Sequence, residues 1–446
     1  MARTLKAAVI GGGMFFDDII GQSFKDFERG GFSAALSSIG MSHLAPEFAD
    51  VRMNLTAIGT RDPKRGTAEK IAKDYRKEFP ASSIKPYYGE KVYKDILAAE
   101  KPDILFVASP DHLHAEAILY ALDKGVHVIA EKPLCLLTSQ ADSIIDLAAR
   151  KNLVVSVDMH KRYDPAVREL LSTCLAKYEK INRVRAVLEE PLAVSTEIFK
   201  WAEHSNPFAY VGCHWLDVVS HYLGVFPKAL FATGERNLLC HWDRYVKVIA
   251  RRQGKPLSGF SRHDPIKAWD SLNVNITYDN GMRADYNNSW INPPDFEGAV
   301  NQEIEVYGIL GRGFVDQQDR GFREAVIGEG SRTRNPFFGG RIKNRGGYQE
   351  VFGYGKASIV AGLLAVSRVK FRGESSADLA GTYPDAASQR SVTMIIQAAS
   401  VVAERNHACF LKNGATPVTA SFTKETITII EPHRKPPQEV IYRKGI

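Results

Sequence analysis

Short apolar runs alternate with amphipathic stretches through the first third of the chain. Leu5–Ile10 is apolar and ends in Gly11-Gly12-Gly13, which reads as a strand followed by a turn. Asn54–Gly59 is a second strand, followed by Asp62-Pro63 and an amphipathic helix to about Phe79. Pro102–Ala108 is a third, followed by a helix from His112 to Lys124 that Gly125 caps. Val126–Ala130 is a fourth, Ser139–Lys151 is again helical, and Leu153–Val157 is a further strand. Apolar strands separated by helices imply a doubly wound parallel sheet with right-handed crossovers. One stretch breaks the rhythm. Gly30–Gly40 followed by Met41–Asp50 reads as an insertion over the ligand cleft or at an oligomer contact, or as a plain surface loop.

Beyond Asp158 the texture changes to strands joined by hairpin turns. Asn273–Tyr278, the turn Asp279-Asn280-Gly281, and Met282–Trp290 form the clearest hairpin. Glu303–Gly308 and Gly313–Val315 continue the pattern. Residues 316–356 are rich in Gly, Arg and Asn and read as long loops. A helix is expected over 387–404 and a late strand over Glu425–Ile430. The expected architecture is α/β plus α+β. A Rossmann domain over 1–157 precedes a substrate-binding and oligomerisation domain over 158–446, built on a large, mostly antiparallel open sheet.

Composition narrows the function. The chain has 446 residues, 44% hydrophobic, enough for two cores. Lys and Arg exceed Asp and Glu by 58 to 51, a mild excess that suits anionic cofactors better than nucleic acid. No apolar stretch reaches membrane-spanning length, and none has signal-peptide form. Five scattered cysteines lack metal-ligand spacing, so reduced thiols in the cytoplasm and no metal site are expected.

Gly11 and Gly13 stand between a strand and a helix, where backbone can approach a pyrophosphate and the helix start, at Met14 and Phe15, presents N–H donors. Phe16 occupies the third glycine position of the usual fingerprint. At the end of the second strand, an acidic residue would accept from the ribose of NAD. Thr60 and Arg61 stand there instead, which favours the 2′-phosphate of NADP over NAD. Arg61 stacking on adenine would serve either cofactor.

Val126–Ala130 ends in Glu131-Lys132-Pro133, with Lys132 at the carboxyl end of a parallel strand and Pro133 inviting a tight, cis-type turn. Combined with Ala108-Ser109-Pro110-Asp111-His112-Leu113-His114, with Lys161-Arg162-Tyr163-Asp164-Pro165, and with Gly212-Cys213-His214-Trp215-Leu216-Asp217, this resembles the glucose–fructose oxidoreductase/inositol dehydrogenase/rhizopine catabolism (Gfo/Idh/MocA) family. The resemblance implies that Glu131 binds the ribose on the nicotinamide side, that Lys132 reaches the reacting hydroxyl, and that His214 is the acid/base histidine. Ser109, Pro110, His112 and His114 would line or support the nicotinamide side. Four residues before the histidine many members carry Asp; Tyr210 stands there, as tyrosine does in related sugar enzymes.

Alcohol oxidation removes a hydride from carbon and a proton from oxygen, so the protein must place the carbon and manage the proton. A lysine beside a cationic nicotinamide should release its proton more readily, and histidine titrates near neutrality. On a helix from Tyr210 to Leu223, Tyr210 and His214 would share a face. Asp217 could orient the imidazole or pair locally. Arg162 is a substrate ligand or a salt-bridge residue. Trp290 with Asn292-Pro293-Pro294 could line a sugar-stacking wall or lie in the core. The basic run Arg332, Arg334, Arg341, Lys343 and Arg345 reads as a solvated loop, or as a cover for an anion or an oligomer partner.

The expected activity is NAD(P)-dependent hydride transfer to or from a sugar, sugar derivative or cyclitol by a homo-oligomer, with no nucleic-acid or membrane partner. Two alternatives are a glycoside-cleaving enzyme that oxidises its substrate transiently with tightly bound NAD, and a non-catalytic sugar-sensing regulator.

Overall fold

The computed structural model describes residues 2–293, 300–318, 322–326, 330–343, 345–410 and 416–445, with backbone alone over 322–326, 330–334 and at 336. The chain divides into two compact units. The first comprises Met1–Cys135, Gln140–Pro165 and Pro336–Arg390; the second comprises Leu136–Ser139, Ala166–Asn335 and Ser391–Ile446.

The first unit holds a six-stranded, wholly parallel sheet: β1 (Arg3–Ile10), β2 (Val51–Thr60), β3 (Lys85–Tyr88), β4 (Ile104–Val107), β5 (His127–Ala130) and β6 (Val155–Val157). Their spatial order is β3-β2-β1-β4-β5-β6, the doubly wound order in which strand order reverses beside β1. The central strands are buried on both faces, which is why they read as continuous apolar runs. Helices α1 (Gly21–Gly30), α2 (Thr67–Glu78), α3 (Val92–Glu100), α4 (His114–Asp123) and α5 (Thr138–Lys151) alternate with these strands. The short strand β3 is half-exposed and carries Pro86, so it gives no apolar run.

Residues 30–50 do not cover the ligand cleft. They form 3-10 turns at Ser33–Ile39 and Ser42–Phe48, and bury Phe32, Leu36 and Phe48 in the first unit's core. Phe27, Phe32 and Phe48 meet edge to face. Each such ring contributes roughly 1.5–3 kcal/mol by leaving water. The stretch lies at the amino end of β1, where Arg3 pairs with Asp50 at 2.6 Å, opposite the end that carries Gly11. Apolar burial, rather than a ligand, explains the insertion.

The second unit is built on a nine-stranded sheet. Its strands are β7 (Ile181–Pro191), β8 (Pro227–Glu235), β9 (Ser271–Tyr278), β10 (Arg283–Asn292), β11 (Asn301–Gly308) and β12 (Arg312–Asp316), joined by three late strands. Helices α6 (Pro165–Lys177), α7 (Cys213–Leu223) and α8 (Trp242–Arg252) accompany it. The expected loops at 316–356 contain two hairpins instead: β13 (Phe322–Val326) with β14 (Gly330–Arg334), and β15 (Gly340–Lys343) with β16 (Gln349–Phe352), the latter preceded by a one-turn helix α9 (Pro336–Gly339). Their Gly and Arg content masked the pairing. Helices α10 (Tyr354–Arg372) and α11 (Arg390–Phe410) follow, then β17 (Thr419–Phe422), β18 (Thr426–Ile430) and β19 (Gln438–Arg443). The sheet order is β12-β11-β7-β10-β9-β8-β17-β18-β19, antiparallel except between β7 and β10. The β9–β10 hairpin turns at Gly281, whose φ of +84° a side chain would resist.

Helix α10 belongs to the first unit. It lies so close to the parallel sheet that a Cβ on Gly362 would stand 2.8 Å from Ser156 Oγ. It is buried nearly all round, so it offers no polar stripe by which sequence periodicity could detect it. In the second unit Asp270 accepts three backbone N–H bonds, from Asn237 (2.7 Å), Leu238 (2.6 Å) and Leu239 (2.9 Å), and so ends β8 and begins the next turn.

Candidate active site

The glycine turn after β1 is shaped by two close approaches and one open space. Gly11 has φ +99°, and a Cβ there would lie 2.0 Å from Ala108 O at the end of β4. Its N–H donates to Gly59 O at 2.9 Å, so the turn is tied to both neighbouring strands. Gly12 faces Thr60 and Ile71, whereas a Cβ on Gly13 would meet nothing within 4 Å. The helix that follows begins at Met14 and Phe15 and passes through a π-turn, Phe16–Ile20, before α1. Phe16, in place of the usual third glycine, is buried, and its ring lies 3.0 Å from where Gly21 would carry a Cβ. The wider turn and Gly21 together accommodate it. Met14 is exposed, and Phe15 stacks on His160.

At the end of β2, Thr60 Oγ1 is buried with no hydrogen-bond partner among the described residues, and Arg61 is exposed. The carboxylate of Asp62 is already engaged, accepting from Lys64 N–H at 2.9 Å and lying 3.6 Å from Arg65. An open glycine cradle at a helix start, beside an orphaned hydroxyl, fits a dinucleotide phosphate and ribose.

The turns after β4 and β5 are joined by one side chain. His114 is buried at the start of α4, with Nδ1 2.8 Å from Pro133 O and Nε2 2.7 Å from Ser109 O. A neutral ring donates to only one of these carbonyls; burial depresses the pKa of the charged ring that would donate to both. His114 therefore supports both loops. Asp111 Oδ1 accepts from His112 N–H at 2.8 Å within the turn, and Ser109 and Pro110 are half-buried beside it. The Lys132–Pro133 peptide is cis, and Lys132 is 7% exposed.

Glu131 and Asp158 extend the adjacent strands β5 and β6. Burial pushes both carboxyls upward, Asp158 to about 7, and the Asp158 charge raises Glu131 further, against the opposing pull of Lys132. His160 Nδ1 lies 2.8 Å from Asp158 Oδ2, and burial beside Lys161 and Lys132 disfavours its charged form. Arg162 is buried and donates to Ser388 Oγ at 3.1 Å, so its guanidinium lies within the first unit. Sequence reading overlooked Asp158 and His160. The signal it had was the one that identified Glu131, a carboxylate directly after an apolar parallel strand.

The second unit carries the remaining candidates. His214 and Asp217 lie on α7 and are buried. Trp215 Nε1 donates to Val187 O at 2.9 Å and anchors that helix on β7. Gly212 lets it dock on β10, since a Cβ there would stand 2.6 Å from Asn288 Oδ1. The expected helix from Tyr210 to Leu223 is present as one continuous helical run whose first part is a π-turn. Phe208–Gly212 is a π-turn, started by Asn206 Oδ1 accepting from Ala209 N–H at 2.8 Å, and α7 begins at Cys213. A π-turn holds slightly more than four residues, so the spacing of four still brings Tyr210 and His214 to nearly one face of the helix. Tyr210 is half-buried against the rings of Phe199 and Trp201. Trp290 is wholly buried and donates through Nε1 to Trp269 O, so it forms core and no sugar-stacking wall; Pro294 lies outside the described residues.

The structure thus gathers Gly11, Gly13, Met14, Phe15, Thr60, Arg61, Ser109, Pro110, His112, His114, Glu131, Lys132 and Arg162 in the first unit, and Tyr210, His214 and Asp217 in the second. Of the basic run, Arg341 donates to Asp17 O at 3.0 Å, and the side chains of Arg332 and Arg334 lie outside the description. Among the described residues no helix is long and apolar enough to cross a membrane, and no cluster of His, Cys, Asp and Glu could hold a metal ion.

Comparison with known proteins agrees with this fold. Residues 5–159 match the profile of an oxidoreductase family with an NAD-binding Rossmann fold, and residues 178–312 match the GFO/IDH/MocA C-terminal domain. The chain is 28% identical over 216 residues to the Bacillus subtilis oxidoreductase YteT, covering 46% of this chain and 48% of that protein. It is 31% identical over 156 residues to D-glucoside 3-dehydrogenase of Escherichia coli, covering 33% of this chain and 44% of that protein. It thus spans about half the length of the curated relatives it matches. The fold is shared with an inositol dehydrogenase homologue from Azotobacter vinelandii solved with NADH and myo-inositol, with a TM-score of 0.61, 16% identity, and coverage of 95% of this chain and 98% of that one.

Proposed function

Since this chain belongs to the Gfo/Idh/MocA oxidoreductase family, we propose that it transfers a hydride between NAD(P) and a hydroxyl or carbonyl carbon of a sugar, sugar derivative or cyclitol. The observation that carries the proposal is the Glu131-Lys132-Pro133 turn, which stands at the carboxyl end of β5 and is tied through His114 to the loop after β4. The open glycine cradle ends β1 in the same parallel sheet, and ligands of such sheets bind at the carboxyl ends of the strands. The names of relatives that act on glucosides, and of a fold neighbour solved with myo-inositol, support a polyhydroxylated substrate.

In this reading Gly11 and Gly13 hold the diphosphate, and Thr60 with Arg61 faces the adenine ribose, with a preference for NADP. The bound nicotinamide supplies the hydride acceptor or donor. Lys132 donates a hydrogen bond to the reacting oxygen and stabilises negative charge that develops there. His214 takes or returns the hydroxyl proton, with Tyr210 as a further donor to the substrate. Asp217 orients the His214 imidazole, and Arg162 is a substrate ligand.

The test is a screen of sugars and cyclitols with both oxidised nicotinamides, read at the reduced-nicotinamide absorbance band. Lys132→Ala should lower turnover by about a hundredfold or more, while the protein still binds the dinucleotide. Unchanged turnover would remove Lys132 from the chemistry. Substrate cleavage with no net change in that band would replace the proposal with redox-assisted bond cleavage.

A further inference from the structure

The strongest unassigned feature is a pair of carboxyls on adjacent strands of the first unit. Ala130 and Val157 are register partners at the ends of β5 and β6, and Asp158 N–H donates to Ala130 O at 2.8 Å. The next residue on each strand is therefore an acid, Glu131 beside Asp158. Glu131 Oε1 and Asp158 Oδ1 are both buried, and neither has a hydrogen-bond partner among the described residues. The other Asp158 oxygen lies 2.8 Å from His160 Nδ1. His160 is in turn held between rings, stacked on Phe15 and Tyr354 and tilted against Phe338.

Two ionised carboxylates in this position would repel one another and leave two buried oxygens unsatisfied, each a cost of kcal/mol size. One proton between them removes a charge and gives the facing oxygens a hydrogen bond, as in other close carboxyl pairs. We propose that Glu131 and Asp158 hold a single proton between them at neutral pH, and that Asp158 is a positioning residue that sets the charge facing the Lys132 ammonium. The shared proton depends on the first unit alone; only the importance of Lys132 rests on the oxidoreductase reading.

The groups around the pair agree. Lys132 favours the ionised form of each carboxyl, burial opposes it at both, and the Asp158 charge opposes it at Glu131. His160, beside Lys161, Lys132 and Asp164, is held neutral by burial, and the buried Ser358 of α10 faces Asp158. When the last proton leaves, a second negative charge appears beside Lys132 and holds its ammonium more tightly. Without Asp158 that second charge never forms.

Infrared spectroscopy tests the pair directly, because a protonated carboxylic acid has a carbonyl stretch separate from the carboxylate bands. The wild-type protein should show this band at neutral pH, shifted by carboxyl-labelled Asp and Glu and lost on alkaline titration. Asp158→Asn and Glu131→Gln should each abolish it. Site-resolved acylation of Lys132 by a small carboxylic anhydride, which forms the amide and releases a carboxylate, followed across pH by mass spectrometry, tests the consequence without turnover. In Asp158→Asn its midpoint should fall by about one pH unit, as expected for one close charge removed. If that variant does not fold, Glu131→Gln carries the same expectation. Absence of the wild-type band overturns the shared proton, and an unchanged Lys132 midpoint overturns the positioning role. A protein with both signatures that oxidises no sugar or cyclitol would overturn the functional reading and leave the carboxyl pair intact.

Discussion

Alanine at Gly11 and alanine at Gly13 should have opposite consequences, although the two glycines are two residues apart. At Gly11 the added Cβ would fall 2.0 Å from Ala108 O and 2.5 Å from Ala108 C, both backbone atoms at the end of β4. These atoms cannot rotate away. Ala108 N–H is itself bound to Ile10 O at 2.8 Å, so relief requires parting β1 from β4. The φ of +99° adds backbone strain for any L-residue. Strain of about 1–2 kcal/mol and overpacking of about 1–3 kcal/mol give an expected loss of roughly 2–5 kcal/mol. At Gly13 the Cβ has no neighbour within 4 Å and φ is ordinary, so stability should stay within about 0.5 kcal/mol. The methyl would instead occupy space assigned to the diphosphate, and dinucleotide affinity should fall at least tenfold, about 1.4 kcal/mol. Urea unfolding with equilibrium titration of NADH and NADPH separates the effects. A Gly11→Ala protein as stable as wild type would refute the packing argument. A Gly13→Ala protein that binds either dinucleotide normally would refute the assignment of this turn to the diphosphate.

Arg61→Ala should weaken NADP about tenfold or more and NAD little, because only the former offers a phosphate to the guanidinium; equal losses in a binding titration would undo the NADP preference. His127 is buried, accepts from Val154 N–H at 3.0 Å, and is held by burial at a pKa of about 4 against its ordinary 6.5. The unfolded chain therefore binds a proton below 6.5 that the folded protein refuses until about 4, so this group's share of stability, about 3 kcal/mol, is lost as pH falls through that window. Asp158, raised to about 7, contributes in the opposite sense, so the quantity to measure is the difference in urea stability between wild type and His127→Gln, which should change in the variant's favour from pH 6.5 to pH 4. Gly212→Ala should destabilise the second unit because its Cβ meets Asn288 Oδ1 at 2.6 Å, and adding Asn288→Ala should restore part of the loss; a double variant no better than the single would point to the Phe208 ring, 2.8 Å away, as the obstacle.

The parallel sheet was legible because strands buried on both faces must be apolar throughout, and the glycine and Lys-Pro turns lie where such strands end. Edge strand β3 was not, since a half-exposed Lys-Pro-Tyr-Tyr carries neither apolar run nor alternation. Helix α10 escaped for the converse reason, being too uniformly buried to have a face. Residues 30–50 misled because irregular turns place Phe32, Leu36 and Phe48 in the core without any period. At the site, His114 was expected to line or support the nicotinamide side, and its two nitrogens, each within hydrogen-bond distance of a backbone carbonyl, fit the supporting role. The π-turn at Phe208–Gly212 was invisible because its residues are ordinary helix neighbours. The partnership of Glu131 with Asp158 depends on the register of β5 against β6, which no local pattern encodes.

The place of α10 in the first unit bears on how the protein is made. Ile359, Leu363 and Val366 complete the apolar interior begun by Leu5, Val9 and Ile129, yet they emerge from the ribosome only after most of the antiparallel sheet has been synthesised. A nascent chain released at residue 165 would hold all six parallel strands and still lack the helix that seals one of their faces. Synthesis of the amino-terminal half therefore ends with sticky surface awaiting its cover, the state in which chaperones engage newly made chains. A gene fragment cut at the end of the parallel strands should yield aggregates, whereas joining 336–390 to it by a short linker should yield a soluble protein.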